Sequence, residues 1–309
     1  MPSGIPKNGI MKLLKKGKVK EVYDAGSGRL EFLFTDQISV FDQIIPTKVP
    51  HKGETLCRTS EHWFRQADGI GIKTHFIERT APNRMLVKKV DVIRDYSKIN
   101  TKTSNYLIPL EVICRHYVSG SLHDRLKSGE TDFRKLGFRS NPKYGEKLPE
   151  PLFEVTTKLE EVDRKLDEKE ALKISGLAIA ELESIKEAVI RIDEQIAREV
   201  GKRGLMHVDG KKEFAFDEER AVMVIDTYGT ADEDRFWDAN EYEKGNCVEL
   251  SKEFVRQHYR ETGYHDKLMR AREERTEEPD IPGLPEKTTG EVSRLYINVF
   301  ERLTGEKFR

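Results

Sequence analysis

LMHVDGKKEFAF, residues 205–216, and AVMVIDTYG, residues 221–229, flank the turn segment Asp217-Glu218-Glu219-Arg220 and read together as a β-hairpin. Strand alternation puts Asp209, Lys211 and Glu213 on one face and Lys212 on the other. Two carboxylates bracketing a lysine fit a solvated face or the wall of a cleft. In a cleft they suit Mg²⁺, which prefers carboxylate oxygen and keeps its remaining sites for water and phosphate. Asp226 closes the partner strand, a placement that also suits a metal ligand. The hairpin decides the fold class because it follows a helix. In residues 168–200, Leu172, Ile179, Leu182, Ile185, Val189, Ile192 and Ile196 fall on one helical stripe, which Gly201 and Gly204 end.

Toward the N-terminus the chain reads as strands. Residues 17–35 alternate around Ala25-Gly26-Ser27-Gly28, a second hairpin. Residues 84–93 and Ile108 to Tyr117 are further strands, the latter running into the turn Ser119-Gly120-Ser121. Residues 139–157 hold Pro142, Pro149 and Pro151 and read as an extended loop. Toward the C-terminus, 248–275 reads as one charged surface helix and 290–304 as an amphipathic one, after a proline-rich loop. Strands, then helix, then strands indicate an α+β protein. A two-lobed arrangement with a cleft between the lobes is the preferred architecture, with residues 1–107 as a β-rich lobe and 108–309 as an α/β lobe.

The bulk numbers bound the function. In 309 residues, 54 Lys and Arg balance 55 Asp and Glu, for a net charge of -1. Such a chain has no overall field for nucleic acid or an anionic membrane, so any anion site must be built locally. Mean hydropathy is -0.66, and no apolar run nears the ~20 residues that span a bilayer. The first twenty residues lack a long apolar stretch and a small-residue cleavage site, so no signal peptide is read. Cys57, Cys114 and Cys247 are odd in number and far apart, which points to a reducing cytoplasm.

Three further segments carry chemistry. Gly17-Lys18-Val19-Lys20 places two ammonium groups at strand spacing beside a glycine, which suits a hairpin lying over nucleotide phosphates or a solvated basic hairpin. Arg115 leaves an apolar strand for Ser119, Gly120 and Ser121, which suits a phosphate cradle or a core strand with a capped helix after it. Asp232, Glu233 and Asp234 stand beside Arg235, as a charged loop or part of a site.

At these residues the sequence resembles the SAICAR synthetase family. IPLEVICRHYVSGS, residues 108–121, matches its signature through Pro109, Glu111, Arg115, Gly120 and Ser121, and VDGKKEF, residues 208–214, resembles its Asp-x-Lys-x-Glu-Phe motif. Supporting matches in family order are residues 17–23, 39–42, 51–53, 86–89, 148–151, 156–158 and 235–237. The resemblance implies a β-rich lobe that covers ATP and a larger α/β lobe that completes the cleft. It implies a ligase of purine biosynthesis, with ATP and Mg²⁺ as cofactors, joining L-aspartate to carboxyaminoimidazole ribonucleotide; a homo-oligomer is compatible with it.

By position, the resemblance assigns Gly17, Lys18, Val19, Lys20 and Val22 to the ATP phosphates. Leu86, Val87, Lys88 and Lys89 form the adenine-side hinge. Glu213 and Asp226 hold Mg²⁺. Arg115, Ser119, Gly120, Ser121 and Arg235 bind the ribonucleotide phosphate. Asp209 and Lys211 meet the ribonucleotide or its carboxylate, and Lys158 sits near the transferred phosphoryl group. Asp36, Ser39 and Asp42 lie by the ribonucleotide and aspartate pocket. Three positions depart from the family pattern: Val162 where histidine is usual, Thr227 where a second acid is usual, and Ala215 where glycine is usual.

Overall fold

The computed structural model describes residues 11–250 and 252–309. The first ten residues, part of the stretch read for a leader, lie outside the described residues. The chain divides into two compact units. Among the described residues the first comprises 11–62, 76–89, 249–250 and 252–309, and the second 63–75 and 90–248.

In the first unit β1 (Lys12–Lys16), β2 (Lys20–Gly26) and β3 (Arg29–Phe34) run antiparallel. Short β4 (Ser39–Val40) and β5 (Gln43–Ile44) pair with each other, and α1 (Lys52–Gly69) follows, crossing the unit boundary. Then β6 (Phe76–Ala81) and β7 (Arg84–Lys88) complete a five-stranded sheet ordered β1-β2-β3-β7-β6. Ser27 and Gly28 form the β2–β3 turn with φ of 51° and 69°, the two-residue left-handed geometry that matches strand twist.

In the second unit β8 (Leu107–Tyr117) leads into α2 (Gly120–Ser128), then β9 (Lys147–Thr157) and β10 (Lys165–Leu166). Next come α3 (Glu168–Ser175), α4 (Ile179–Gly201), β11 (Leu205–Phe216), β12 (Val222–Ile225), β13 (Asp234–Asp238) and α5 (Ala239–Glu243). The sheet order is β10-β9-β8-β11-β12, with β13 also on β11. Leu182, Ile185, Val189, Ile192, Ile196 and Val200 of α4 are buried, and α4 packs on β11. The chain then returns to the first unit with α6 (Glu253–Glu261), α7 (Tyr264–Glu274) and α8 (Glu286–Thr304).

Four expected elements differ. The 168–200 helix is two helices, because Gly176 takes a φ of 65° and ends α3. A Cβ there would lie 2.8 Å from Ile99 Cγ2 and 2.9 Å from the Asn100 carbonyl oxygen, so only glycine fits the break. Ile179, expected on the buried stripe, is exposed as a result. The strand of 84–93 stops at Lys88. The extended loop of 139–157 ends in an eleven-residue strand, β9. Its prolines, which donate no N–H, sit where the ladder with β8 skips from Leu152 to Lys147. The 248–275 helix breaks at Gly263, whose φ is 73°.

Candidate functional site

The register of the second sheet builds two charged clusters. In β11, Asp209 lies opposite Arg115 of β8 on one side and Arg235 of β13 on the other, so one carboxylate is held between two guanidiniums. Arg115 NH1 donates to Asp209 Oδ2 at 3.1 Å, and Arg235 NH1 donates to the same oxygen at 2.5 Å. The Ser119 hydroxyl donates to it at 2.8 Å while accepting from Arg235 NH1 at 3.0 Å. Arg115 NH2 reaches Ser121 Oγ at 3.1 Å. Gly120 has a φ of 49°, and a Cβ there would come 2.8 Å from Arg235 NH2, so the glycine admits the guanidinium.

Glu154 extends this cluster. It accepts from Arg115 Nε at 2.8 Å, Arg125 NH2 at 2.6 Å and Lys165 Nζ at 2.7 Å. Burial would raise its pKa, but Lys165, Arg115 and Arg125 bring it down to about 2. Four cations thus face two carboxylates, an excess of positive charge that suits a phosphate.

Four residues along from the Asp209–Arg115 pair and on the same face, Glu111 of β8 lies directly opposite Glu213 of β11. Like charges so placed repel, and two lysines sit between them. Lys158 Nζ is 2.5 Å from Glu213 Oε1 and 3.6 Å from Glu111 Oε1. Lys211 Nζ is 2.9 Å from Glu111 Oε1, 3.5 Å from Glu213 Oε1 and 3.4 Å from Glu233 Oε2. Burial would lower the Lys211 pKa, but Glu233, Glu213 and Glu111 hold it well above the usual lysine range. Burial pushes Glu111 up. Three carboxylates against two ammonium groups leave one negative charge in excess among hard oxygen donors, a donor set that fits Mg²⁺. Asp226 follows Ile225, the register partner of Glu213, and takes a φ of 61°, the left-handed region.

The structure therefore brings Asp209, Arg115, Ser119, Gly120, Ser121 and Arg235 into one cluster and Lys158, Lys211 and Glu213 into the next, all on the second unit. Asp226 also lies on the second unit, and the remaining expected residues lie on the first. Gly17, Lys18 and Val19 form the turn between β1 and β2 rather than a strand, and the Gly17 N–H donates to the Lys20 carbonyl at 2.8 Å. That geometry, not alternation, sets the two lysines. Lys18 Nζ is 2.5 Å from Asp42 Oδ1, and Lys20 Nζ lies 4.5 Å from the centre of the Phe32 ring. Lys18 holds the Asp42 pKa below the usual carboxylate range. Val22 of β2 is opposite Phe32. Asp36 accepts from the Gly53 N–H at 2.9 Å, and Ser39 is buried. Leu86 and Val87 are buried in β7, Lys88 is exposed, and Lys89 pairs with Asp24 at 3.1 Å just before the chain passes to the second unit at Val90.

Glu154 and Arg125 were not among the expected site residues, and Glu233 stood only in the 232–235 segment that reads as a charged loop or part of a site. Glu154 fell in the stretch read as loop, where no period could place it. Glu111 had a signal: it is four residues before Arg115 on one strand, hence on the same face.

An α+β fold whose sheet carries an anion-attracting end beside a carboxylate–lysine cluster defines a class of protein, and comparison narrows it. Residues 13–271 match the SAICAR synthetase family. A phosphoribosylaminoimidazole-succinocarboxamide synthase of Thermoplasma acidophilum is 56% identical over 298 residues, covering 96% of this chain and 100% of that protein. A SAICAR synthetase solved with ADP is 25% identical, with TM-score 0.69 over 96% of this chain and 99% of the other. The Saccharomyces cerevisiae SAICAR synthase solved with SAICAR shares the fold at TM-score 0.75 and 23% identity, covering 99% of each chain. The chain belongs to the SAICAR synthetase family. Among the described residues no helix is long and apolar enough to cross a membrane.

Proposed function

We propose that this chain condenses L-aspartate with carboxyaminoimidazole ribonucleotide, using ATP, to give SAICAR, ADP and phosphate. The observation that carries the reading is the shared front face of β11, where an excess of positive charge around Asp209 adjoins the carboxylate–lysine cluster around Lys211. One end suits the phosphate of a ribonucleotide, and the other suits a carboxylate being activated. The relative solved with ADP supports nucleotide binding.

The ribonucleotide phosphate accepts hydrogen bonds from Arg115, Arg235, Ser119 and Ser121, whose guanidiniums Asp209 already orients. This fixes the far end of the substrate, so its carboxylate lies along the strand toward Lys211 and Lys158. A carboxylate is a poor acylating agent. It attacks the γ-phosphorus of ATP, the bond to the β-phosphate oxygen breaks, and ADP leaves with that electron pair. Lys211 and Lys158 stabilise the charge spread over the transferred phosphoryl oxygens. The neutral aspartate amine adds to the acyl phosphate carbonyl, the C–O bond to the phosphate breaks as the amide forms, and the departing phosphate takes up the proton that the nitrogen loses. Lys18 and Lys20 contact the ATP phosphates from the β1–β2 hairpin, and the 86–89 segment meets the adenine. Glu213 and Asp226 would hold Mg²⁺, which when bound neutralises phosphate charge. Catalysis is then chiefly positioning and charge neutralisation.

The test is an omission assay. Protein with ATP, Mg²⁺, L-aspartate and the ribonucleotide should release phosphate, and leaving out any one should stop SAICAR formation. Phosphate release unaffected by omitting aspartate, with no SAICAR made, would point to a different transfer and sink the reading.

A further inference from the structure

The back face of β11 carries a second charged group that the reaction above does not use. Lys212 is fully buried, with its ammonium 2.5 Å from Asp193 Oδ1 of α4 and 3.5 Å from Asp234 Oδ2 of β13. His207 Nε2 lies 2.7 Å from Asp234 Oδ2, and His116 Nε2 lies 2.9 Å from Asp193 Oδ2. Asp193, His207 and Asp234 offer ligand atoms within 4.8 Å of one another, a spacing a divalent ion would accept. Lys212 supplies the positive charge in that place instead. Burial would raise Asp193, but Lys212 and then His207 hold it below the usual carboxylate range.

Such a group is a costly way to hold a strand on a helix, because an apolar set of similar volume does so at equal or better stability. What an ionic set adds is a defined geometry, and here the geometry alternates with the site. Lys212 stands between Lys211 and Glu213. Asp234 stands between Glu233 and Arg235, and Gly210 between Asp209 and Lys211. Asp234 Oδ1 also accepts from the Gly229 N–H at 2.7 Å, which ties down the loop that follows Asp226. Its other oxygen lies over Gly210, where a Cβ would come within 2.0 Å of it. One carboxylate thus joins β11, which carries Lys211 and Glu213, β13, which carries Arg235, and the 226–230 loop.

We propose that Asp234, with Lys212 as its internal cation and Gly210 as its seat, is a positioning residue that sets Lys211, Glu213 and Arg235 at their working distances. The proposal rests on the function given above. Three variants of the full chain test it by different chemistry. Asp234→Asn removes the charge, Gly210→Ala pushes the carboxylate away, and Lys212→Met with Asp193→Leu replaces the ion pair by apolar groups and leaves Asp234 paired with His207. Each should lower kcat about 30-fold or more and raise the ribonucleotide KM about 10-fold, with the ATP KM changed less than about 2-fold. A purely structural role would lower Tm and leave the constants of the folded protein unchanged. Parental kcat and ribonucleotide KM in whichever variants fold overturn the proposal. If the parent itself makes no SAICAR, the functional reading fails separately. The rise in Tm that the ribonucleotide alone produces then decides: kept in the parent and lost in the variants it supports the positioning role, and kept in all it refutes it.

Discussion

Lys18 and Lys211 each follow a glycine, and the protein treats them in opposite ways. Lys18 sits in the β1–β2 turn with its side chain 48% exposed and paired with Asp42, itself 78% exposed. Lys211 sits mid-strand, 27% exposed, among Glu111, Glu213 and Glu233. The first is a charge at the tip of a chain reversal, worth little as an ion pair in water. The second is fixed by the sheet before any ligand arrives. The contrast suggests that the hairpin adapts to its ligand, whereas the β11 face is preorganised, which is where electrostatic catalysis gains most.

The largest effect should come from the fixed region. Lys211→Ala should lower kcat by about 10³-fold with Tm nearly unchanged, measured by SAICAR formation under saturating substrates; activity within a few-fold of the parent would remove Lys211 from the chemistry. Next is the acid stability set by Glu154. Its carboxyl drops from an ordinary 4.5 to about 2 on folding. Its stabilisation is therefore complete above about pH 4.5 and lost as pH falls through 2, amounting to roughly 3 kcal/mol. The stability gap between parent and Glu154→Gln, followed by denaturant titration, should narrow across that window; a constant gap would show the carboxylate is not held low.

Arg115→Lys keeps the charge but loses the three-way fork to Glu154, Asp209 and Ser121. The ribonucleotide KM should rise about 100-fold while that for ATP moves little. Equal losses for both would break the division between the clusters. The smallest effect belongs to the exposed region: Lys18→Ala should raise the ATP KM only about 10-fold, with kcat held within about 3-fold. A loss as large as that of Lys211→Ala would erase the comparison drawn here.

Much of the second unit was legible in the sequence because strand alternation is local. The sides taken by Asp209, Lys211 and Glu213 followed from period 2 alone, and the long run of β8 from its β-branched and apolar residues ahead of the Ser119-Gly120-Ser121 turn. The split of α3 from α4 was hidden because the apolar stripe continues across Gly176; the glycine is demanded by contacts with Ile99 and Asn100, some eighty residues away in sequence. Strand β9 was hidden by Pro149 and Pro151, which local propensity counts against a strand although the sheet leaves a gap in its ladder for them. The back-face group was invisible for a similar reason. Asp193 reads as one polar residue on an amphipathic helix, and only the packing of α4 on β11 reveals that it meets Lys212.

The ladder between β11 and β13 shifts by one between His207 and Asp209, so Val208 is an extra residue with no opposite number. That single insertion reverses parity along the strand. Before it, His207 points toward α4 from an odd position; after it, Lys212 does so from an even one. Deleting Val208 would seat Asp209 directly after His207 on the opposite face, so the ladder would close into a regular one with both charge sets on their present sides and only the local twist relaxed. The spare residue is why His207 and Lys212, one odd and one even in number, share the α4 side of a single strand.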